Sequence, residues 1–536
     1  MIQAQQQTAL LCLLVLCGLG RGALPAAPAG KPGGLPADQI LQLRIEIEPA
    51  SLDRLRKEPR QFVPARVMEG TSVLSGVGIH LKGSTGSFRP VDEKPSLTLD
   101  FSRFGGAGRF HGLRKIHLNN SLEDPSFANE MLGSGLFAAA GLPAAQATRA
   151  LVELNGRKLG LYVLMEGFTE DFLARHFPRF GGDLYEPDVG RDVDDHLKRN
   201  SVAAVARGRS VLTDLASAAL EKDLPLRWER LNRTLDMEQF TTFMALEVLI
   251  GHRDGYCLAR NNYRVYHDPQ ADRIRFFPHG MDQLFGNADL PWQPAMAGLV
   301  ARAVMETPQG SEQYAARFKS LFTNLLSITT LTGRVDQLAL QLRPSLGNAE
   351  WAALVEASTA TKARIVDRHR ALGEQLSRTP LRALQFELGA ARPEGWALAE
   401  KGATDKLDQT TSPDGTLSLH IAANSDTVAS WHARGLLQPG RYRFEGMVRT
   451  DGLKPLSNGN PPGATLRVRG QKAAIQGNPP VKPNETPGGG SNAWRLVGTE
   501  FEVRQAMEDV EFLCELRAGA GEVWFDLKTL KVLQKN

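Results

Sequence analysis

Residues 249–286 read LIGHRDGYCLARNNYRVYHDPQADRIRFFPHGMDQLFG, and the rest of the chain is organised around them. An apolar helical run, Phe240 to Ile250, delivers His252, Arg253 and Asp254 into a polar loop. Asn261 and Asn262 then open a strand, Tyr263 to His267. Asp268-Pro269 begins a turn, and a second strand, Arg273 to Phe277, runs into His279, Gly280, Met281 and Asp282. The pattern predicts a β-hairpin whose flanking loops leave from the same end. Asp254, Asn262 and Asp282 can then converge. Two carboxylates and an amide suit a hard cation such as Mg2+ beside a transferred phosphoryl group.

Upstream of the hairpin the chain reads as strands. Gln42 to Ile47, Phe62 to Val67 and Val77 to Leu81 alternate in polarity. A Gly-rich polar loop, Lys82-Gly-Ser-Thr-Gly-Ser-Phe, separates them from a strand headed by Lys94. Backbone N–H groups and the hydroxyls of Ser84 and Thr85 could surround phosphates there, although such loops also serve as plain hairpin turns. Walker spacing and a following helix are absent. Arg114 to Asn120 is a further strand, and Asp124 is expected to cap a helix running to about Ala139. A hairpin around Asn155-Gly156 ends at Glu166, which could ion-pair with Lys94 or serve the helix that begins at Thr169. The acidic run Asp183 to Asp195 does not match an EF-hand and reads as a solvated segment.

Downstream, helices are expected over Pro294 to Val304, Ser311 to Leu326, Thr330 to Leu342 and Asn348 to Leu376. After about Thr379 the helical periodicity stops and short strands recur at regular spacing, the pattern of a β-sandwich of jelly-roll type. At 536 residues the chain is too long for one core. Its net charge of +4 is close to neutral and no dense Lys/Arg run marks a nucleic-acid partner. Residues 1–27 carry an apolar run and then small residues, without a positive start, and read as a signal peptide for export. Residues 28–37 read as a linker, 38–379 as the first domain and 380–536 as the sandwich. No later segment is apolar enough to span a bilayer. With the signal removed, Cys257 and Cys514 remain, too separated in the chain to suggest a disulfide.

The Lys82 loop, the Lys94 strand, Lys115-Ile-His-Leu-Asn-Asn with Asp124, Gly160 to Glu166, Asn262-Tyr-Arg-Val-Tyr and Met281-Asp282-Gln-Leu-Phe-Gly together resemble the spore-coat protein H (CotH) kinase-like family. The resemblance spans about Gln39 to Leu376. It implies an α+β chain: an atypical protein-kinase-like domain followed by an all-β jelly-roll sandwich. It also implies transfer of the ATP γ-phosphate to Ser or Thr of secreted or envelope proteins, with Mg2+ or Mn2+. On the same resemblance Asp254 is the catalytic Asp that positions the attacking hydroxyl and accepts its proton, and Asn262 (or Asn261) and Asp282 hold metal. Lys94, oriented by Glu166, contacts the nucleotide under a loop containing Lys82, Ser84 and Thr85.

His252-Arg253-Asp254 imitates the catalytic loop of ordinary protein kinases, but Asn261 follows Asp254 by seven residues rather than five. The family's usual Trp-Asp-x-Asp is departed from: His279 stands for the Trp and Gly280 for the first Asp. That loss keeps a second reading open, a non-catalytic kinase-like surface or coat protein. The sandwich resembles carbohydrate-binding modules, with Trp431, Trp494 and Trp524 as candidates for stacking on sugar rings. A glycan-binding adhesion protein is the third reading.

Overall fold

The computed structural model describes residues 34–36, 39–84, 86–106, 108–195, 197–201, 210–377, 383–398, 406–470, 475–476, 489–504 and 508–535. The expected signal segment and Thr85 lie outside them. The chain forms two compact units, Met1–Arg378 and Thr379–Asn536.

The first unit begins with a closed seven-stranded barrel. Its strands are β1 (Ile40–Glu46), β2 (Val63–Glu69), β3 (Ser72–Lys82), β4 (Ser96–Asp100), β5 (Lys115–Asn119), β6 (Ala147–Leu154) and β7 (Arg157–Glu166), in the order β1-β2-β3-β4-β5-β7-β6. Parallel pairing of β1 with β6 closes it. Alternate residues such as Leu43, Ile45, Ile79, Leu81, Ile116 and Leu118 fill the interior. The intervening positions of β5, Lys115, His117 and Asn119, therefore face out of the barrel.

The helix after β5 starts later than expected, at Asn129, and ends at Ala139. Phe127 adopts φ +53, which breaks the helical path between Asp124 and the helix. The buried Asp124 carboxylate instead accepts the N–H groups of Ser126, Ala128 and Asn129 across that turn.

The helix Met237–Leu249 is the centre of the second core. Asp236 caps it through the Gln239 N–H, and every residue but Glu238 is buried. Beyond it stand β10 (Tyr263–Asp268) and β11 (Arg273–Pro278), the hairpin read from the sequence. They are extended by β8 (Asp183–Glu186) and β9 (Lys198–Ser201), in the order β11-β10-β8-β9. This corrects the reading of Asp183 to Asp195 as solvated: Asp183 and Asp192 are buried. Asp192 accepts the Tyr256 O–H at 2.9 Å and the Leu299 N–H at 2.7 Å, partners that lie far away in sequence. Arg368, fully buried on the helix Asn348–Ser377, donates to the carbonyls of Val248 and Leu249 and to those of Ala288 and Leu290. It ties the end of the central helix to the segment that follows Asp282.

The second unit has an eight-stranded and a four-stranded sheet. They share a core that includes Leu419, Phe444, Val448, Leu466, Phe512 and Phe525. Trp431 and Trp524 are only 5% exposed, which removes them as open sugar platforms. Trp431 sits in this core and its indole N–H donates to the His420 carbonyl at 3.1 Å. Trp524 stacks on the His420 ring at 5.0 Å. Trp494 is half-buried and donates its indole N–H to Asp414. No helix among the described residues is long and apolar enough to cross a membrane.

Candidate active site

Two loops meet at the open end of the β10–β11 hairpin. Gly251, at φ +57, turns the chain out of the central helix. Three backbone bonds then join the loops: Phe285 N–H to the Ile250 carbonyl, Arg253 N–H to Gln283, and His279 N–H to Asn262. Buried Glu247 reaches out of the helix to accept the N–H groups of Tyr256 and Cys257 at 3.1 and 2.7 Å, which fixes the far side of the Asp254 loop. His252 is fully buried between the Glu247 carboxylate, 3.5 Å from Nδ1, and the Gly280 carbonyl, 3.2 Å from Nε2. Burial pushes its imidazole down, but these two acceptors outweigh burial and hold it above its usual range.

Asp254 accepts two amides on one oxygen, from Asn261 at 2.8 Å and Asn262 at 2.9 Å. Asn262 adopts φ +47, a left-handed conformation that asparagine tolerates better than most residues. Its amide lies against Gly280, where a Cβ would come within 2.7 Å of Oδ1. The oxygen of Asn262 thus fills the space beside position 280, where the family pattern places an acid.

Asp282 follows two residues later and is held from the barrel side. Asn119, the last residue of β5, donates to its carboxylate at 3.4 Å, and Asn129 donates to its carbonyl at 2.7 Å. Glu130 accepts the Met281 N–H at 2.7 Å. Met281 packs on Gly133, where a Cβ would meet its sulfur at 2.7 Å. Burial raises the Asp282 carboxyl, while Asn119 and Lys82 pull it back. Glu130 is pushed up to about 7, first by burial and then by the charge of Asp282.

Lys82 ends β3 and lies within electrostatic reach of Asp282 and Glu130, which partly offset the lowering of its pKa by burial. It forms no hydrogen bond or ion pair among the described residues. Ser84 is exposed in a turn closed on itself, its carbonyl accepting the Ser87 and Phe88 N–H groups. Lys94 and Glu166 do not pair, contrary to expectation. The Lys94 ammonium lies over the rings of Phe127 and Tyr162, at 5.3 and 5.1 Å. Glu166 is buried against Arg175 and accepts the Gln146 N–H at 3.1 Å. Four strand residues, about 13 Å, separate Tyr162 from Glu166 along β7, too far for one lysine to serve both.

The residues that sequence reasoning missed are Asn119, Asn129, Glu130 and Glu247. Asn119 could have been found from the alternation of β5, and Glu130 from its place in the first turn of a helix. Nothing local marks Glu247, an acid in an apolar helix whose partners are backbone N–H groups beyond the loop. Among the described residues no group of three or more His, Cys, Asp or Glu is placed to hold a metal. The loops carry oxygen donors only, the carboxylates of Asp254 and Asp282 and the amide oxygen of Asn262, the donor type that hard cations take.

A family model described as CotH kinase protein matches residues 79–365. Invasin CotH2 of Rhizopus delemar is 25% identical over 266 residues, covering 44% of this chain and 44% of that protein. Inner spore coat protein H of Bacillus subtilis is 21% identical over 259 residues, covering 44% of this chain and 69% of that one. The chain thus spans less than half of the Rhizopus relative. Among solved structures, TmCBM61 in complex with β-1,4-galactotriose overlaps 27% of this chain and 91% of its own, at 9% identity and a TM-score of 0.19. A proposed sugar binding protein from Bacteroides thetaiotaomicron overlaps 30% and 95%, at 10% identity and a TM-score of 0.19. The family match runs from β3 through most of the helix Asn348–Ser377, more than half of the 536 residues, and this chain belongs to the CotH kinase protein family.

Proposed function

We propose that the first unit is a kinase-like phosphotransferase that moves the γ-phosphoryl group of a nucleoside triphosphate, ATP in the family pattern, to Ser or Thr of an exported or surface protein. The observation that carries this is the joining of Asp254 to Asn262 at 2.9 Å, in loops locked against the segment that holds Asp282. Asp254 keeps one carboxylate oxygen clear of the two amides, to orient the acceptor hydroxyl and take its proton. The acceptor O–P bond then forms as the bond to the β-phosphate oxygen breaks, and the nucleoside diphosphate leaves. Lys82 faces the phosphates. Asn262 and Asp282 would hold Mg2+ or Mn2+, which when bound neutralises charge on the phosphate oxygens.

The relatives' names, an invasin and a spore coat protein, support work at a surface or coat, as does the signal-like start of the chain. The filled position beside Gly280 supports a second reading, a kinase-like surface or coat protein that binds nucleotide without turnover. The second unit would then present a partner-binding face, a glycan or another cell-surface ligand, with Trp494 as its half-buried aromatic.

Transfer of labelled γ-phosphate, with Mg2+ or Mn2+, decides between these readings. Wild-type protein is expected to label itself or a generic acceptor, and Asp254→Ala to reduce the rate about 10²- to 10⁴-fold. Asp282→Ala is expected to abolish the metal-dependent transfer. A folded wild-type protein that binds nucleotide yet transfers nothing would leave the binding-only reading.

A further inference from the structure

Within the nucleotide reading just given, we infer that Asn119 and Asn120 are positioning residues that set the Gly-rich turn and Asp282 at one fixed spacing, Asn120 holding the turn and Asn119 the acid. β5 ends at Asn119, and Ser121, at φ +55, bends the chain away from the strand. The side-chain oxygen of Asn119 accepts the Ser121 N–H at 3.2 Å. Its NH2 group is thereby left for the Asp282 carboxylate, at 3.4 Å.

Asn120 serves the turn. Only 1% exposed, it donates both hydrogens of its NH2 group, to the Ser87 and Lys94 carbonyls, each at 3.0 Å. Ser87 closes the Gly-rich turn, its N–H taken by the Ser84 carbonyl, and Lys94 leads into β4. One side chain therefore clasps both legs of the β3–β4 connection. The Asn120 N–H donates to the Ser96 hydroxyl at 3.0 Å, which anchors the clasp to the first residue of β4.

The remaining polar atom shows what the position requires. Asn120 Oδ1 is buried with no hydrogen-bond partner. An unmet buried acceptor is a net cost, which an apolar side chain would avoid. Turning the amide over would set its oxygen against two carbonyls. The position thus calls for the NH2 group and not for polarity as such. Two exposed arginines also reach the connection: Arg60 donates to the Leu81 and Gly83 carbonyls, and Arg157 to those of Val91 and Glu93. Neither bonds to Asn119 or to the Asp282 segment among the described residues. Lys82 stands directly before the turn, so the spacing of its ammonium from Asp282 follows the spacing of the turn from the end of β5.

The test is displacement of a fluorescent nucleoside triphosphate from the full chain by inorganic triphosphate, with Mg2+, joined to hydrogen exchange at the Ser87 and Phe88 amides of the ligand-free protein. Asn120→Ala, checked for folding by its melting transition, is expected to speed that exchange and to raise the triphosphate concentration for half-displacement about tenfold. Asn120→Asp keeps the size, removes the NH2 group and should do the same. Asn119→Ala should weaken triphosphate while leaving the exchange unchanged. Arg157→Ala removes two bonds to the same connection and should leave triphosphate within about twofold. A folded Asn120→Ala or Asn119→Ala variant that binds triphosphate like the wild type overturns the inference. So does an Arg157→Ala variant that weakens it as much as Asn120→Ala. If the wild type binds neither the probe nor triphosphate, the nucleotide reading fails first and this one falls with it.

Discussion

On the hairpin wall of the candidate site, Asp254 is held by two amides and the Asp282 segment by Asn119, Asn129 and Glu130. On the barrel wall, Lys82 and Lys115 are buried enough to lose part of their basicity and still have no bonding partner among the described residues. A desolvated ammonium without a partner is costly, and a fold keeps it where a ligand will complete it. The acids are already oriented and the cations wait, as expected of a site that takes a polyanion together with a metal ion. The two walls can therefore be perturbed separately.

The largest expected effect is at Glu130, where the walls meet. Its carboxyl is raised from 4.5 to about 7, so the folded chain keeps a proton that the unfolded chain releases. The stability from that proton is fully present below about pH 4.5 and is lost as pH rises through about 7, a change of up to about 3 kcal/mol. Urea unfolding of the metal-free protein between pH 5 and 8 should show stability falling across this window. Glu130→Gln should flatten the slope. An unchanged slope in the variant would mean that Glu130 does not carry the proton.

A smaller effect is expected at Gly280. Restoring an acid there looks like a repair if only the sequence is considered. In the fold, φ is +56 and the new Cβ would press on the Asn262 amide at 2.7 Å. Gly280→Asp is therefore expected to cost about 1–3 kcal/mol and to lower transfer, and Gly280→Ala to cost a similar amount without adding charge. A rise in transfer on Gly280→Asp would show that Asn262 yields the space and that the hairpin wall is less fixed than described.

The hairpin, the loops at its open end and most strands of the barrel were legible because local signals decide them: alternation, Asn-Gly and Asp-Pro turns, and an apolar helical run. The barrel's closure was not, since it depends on parallel pairing of β1 with β6 across more than a hundred residues. Asp183 and Asp192 were misread for a related reason: a carboxylate looks solvated until its distant N–H and O–H partners are known. Within the site, residue types were legible and partners were not. Glu166 and Lys94 are complementary in charge, yet Arg175, brought in by the helix Glu170–His176, takes the glutamate.

That exchange of partners gives the smallest predicted effect and the clearest contrast between the two lysines flanking the Gly-rich loop. Lys94 faces the rings of Phe127 and Tyr162, so its burial is offset by cation–π attraction of about 0.5–2 kcal/mol rather than by a carboxylate. Methionine fills the same volume, keeps contact with both rings and removes the desolvation cost of the charge. Lys94→Met should therefore shift stability by less than about 1 kcal/mol in either direction and leave nucleotide displacement unchanged, while Lys82→Met abolishes it. Loss of nucleotide binding in Lys94→Met would mean that the ammonium leaves the rings for the phosphates when ligand arrives, and the barrel wall would then contribute Lys94 as well as Lys82.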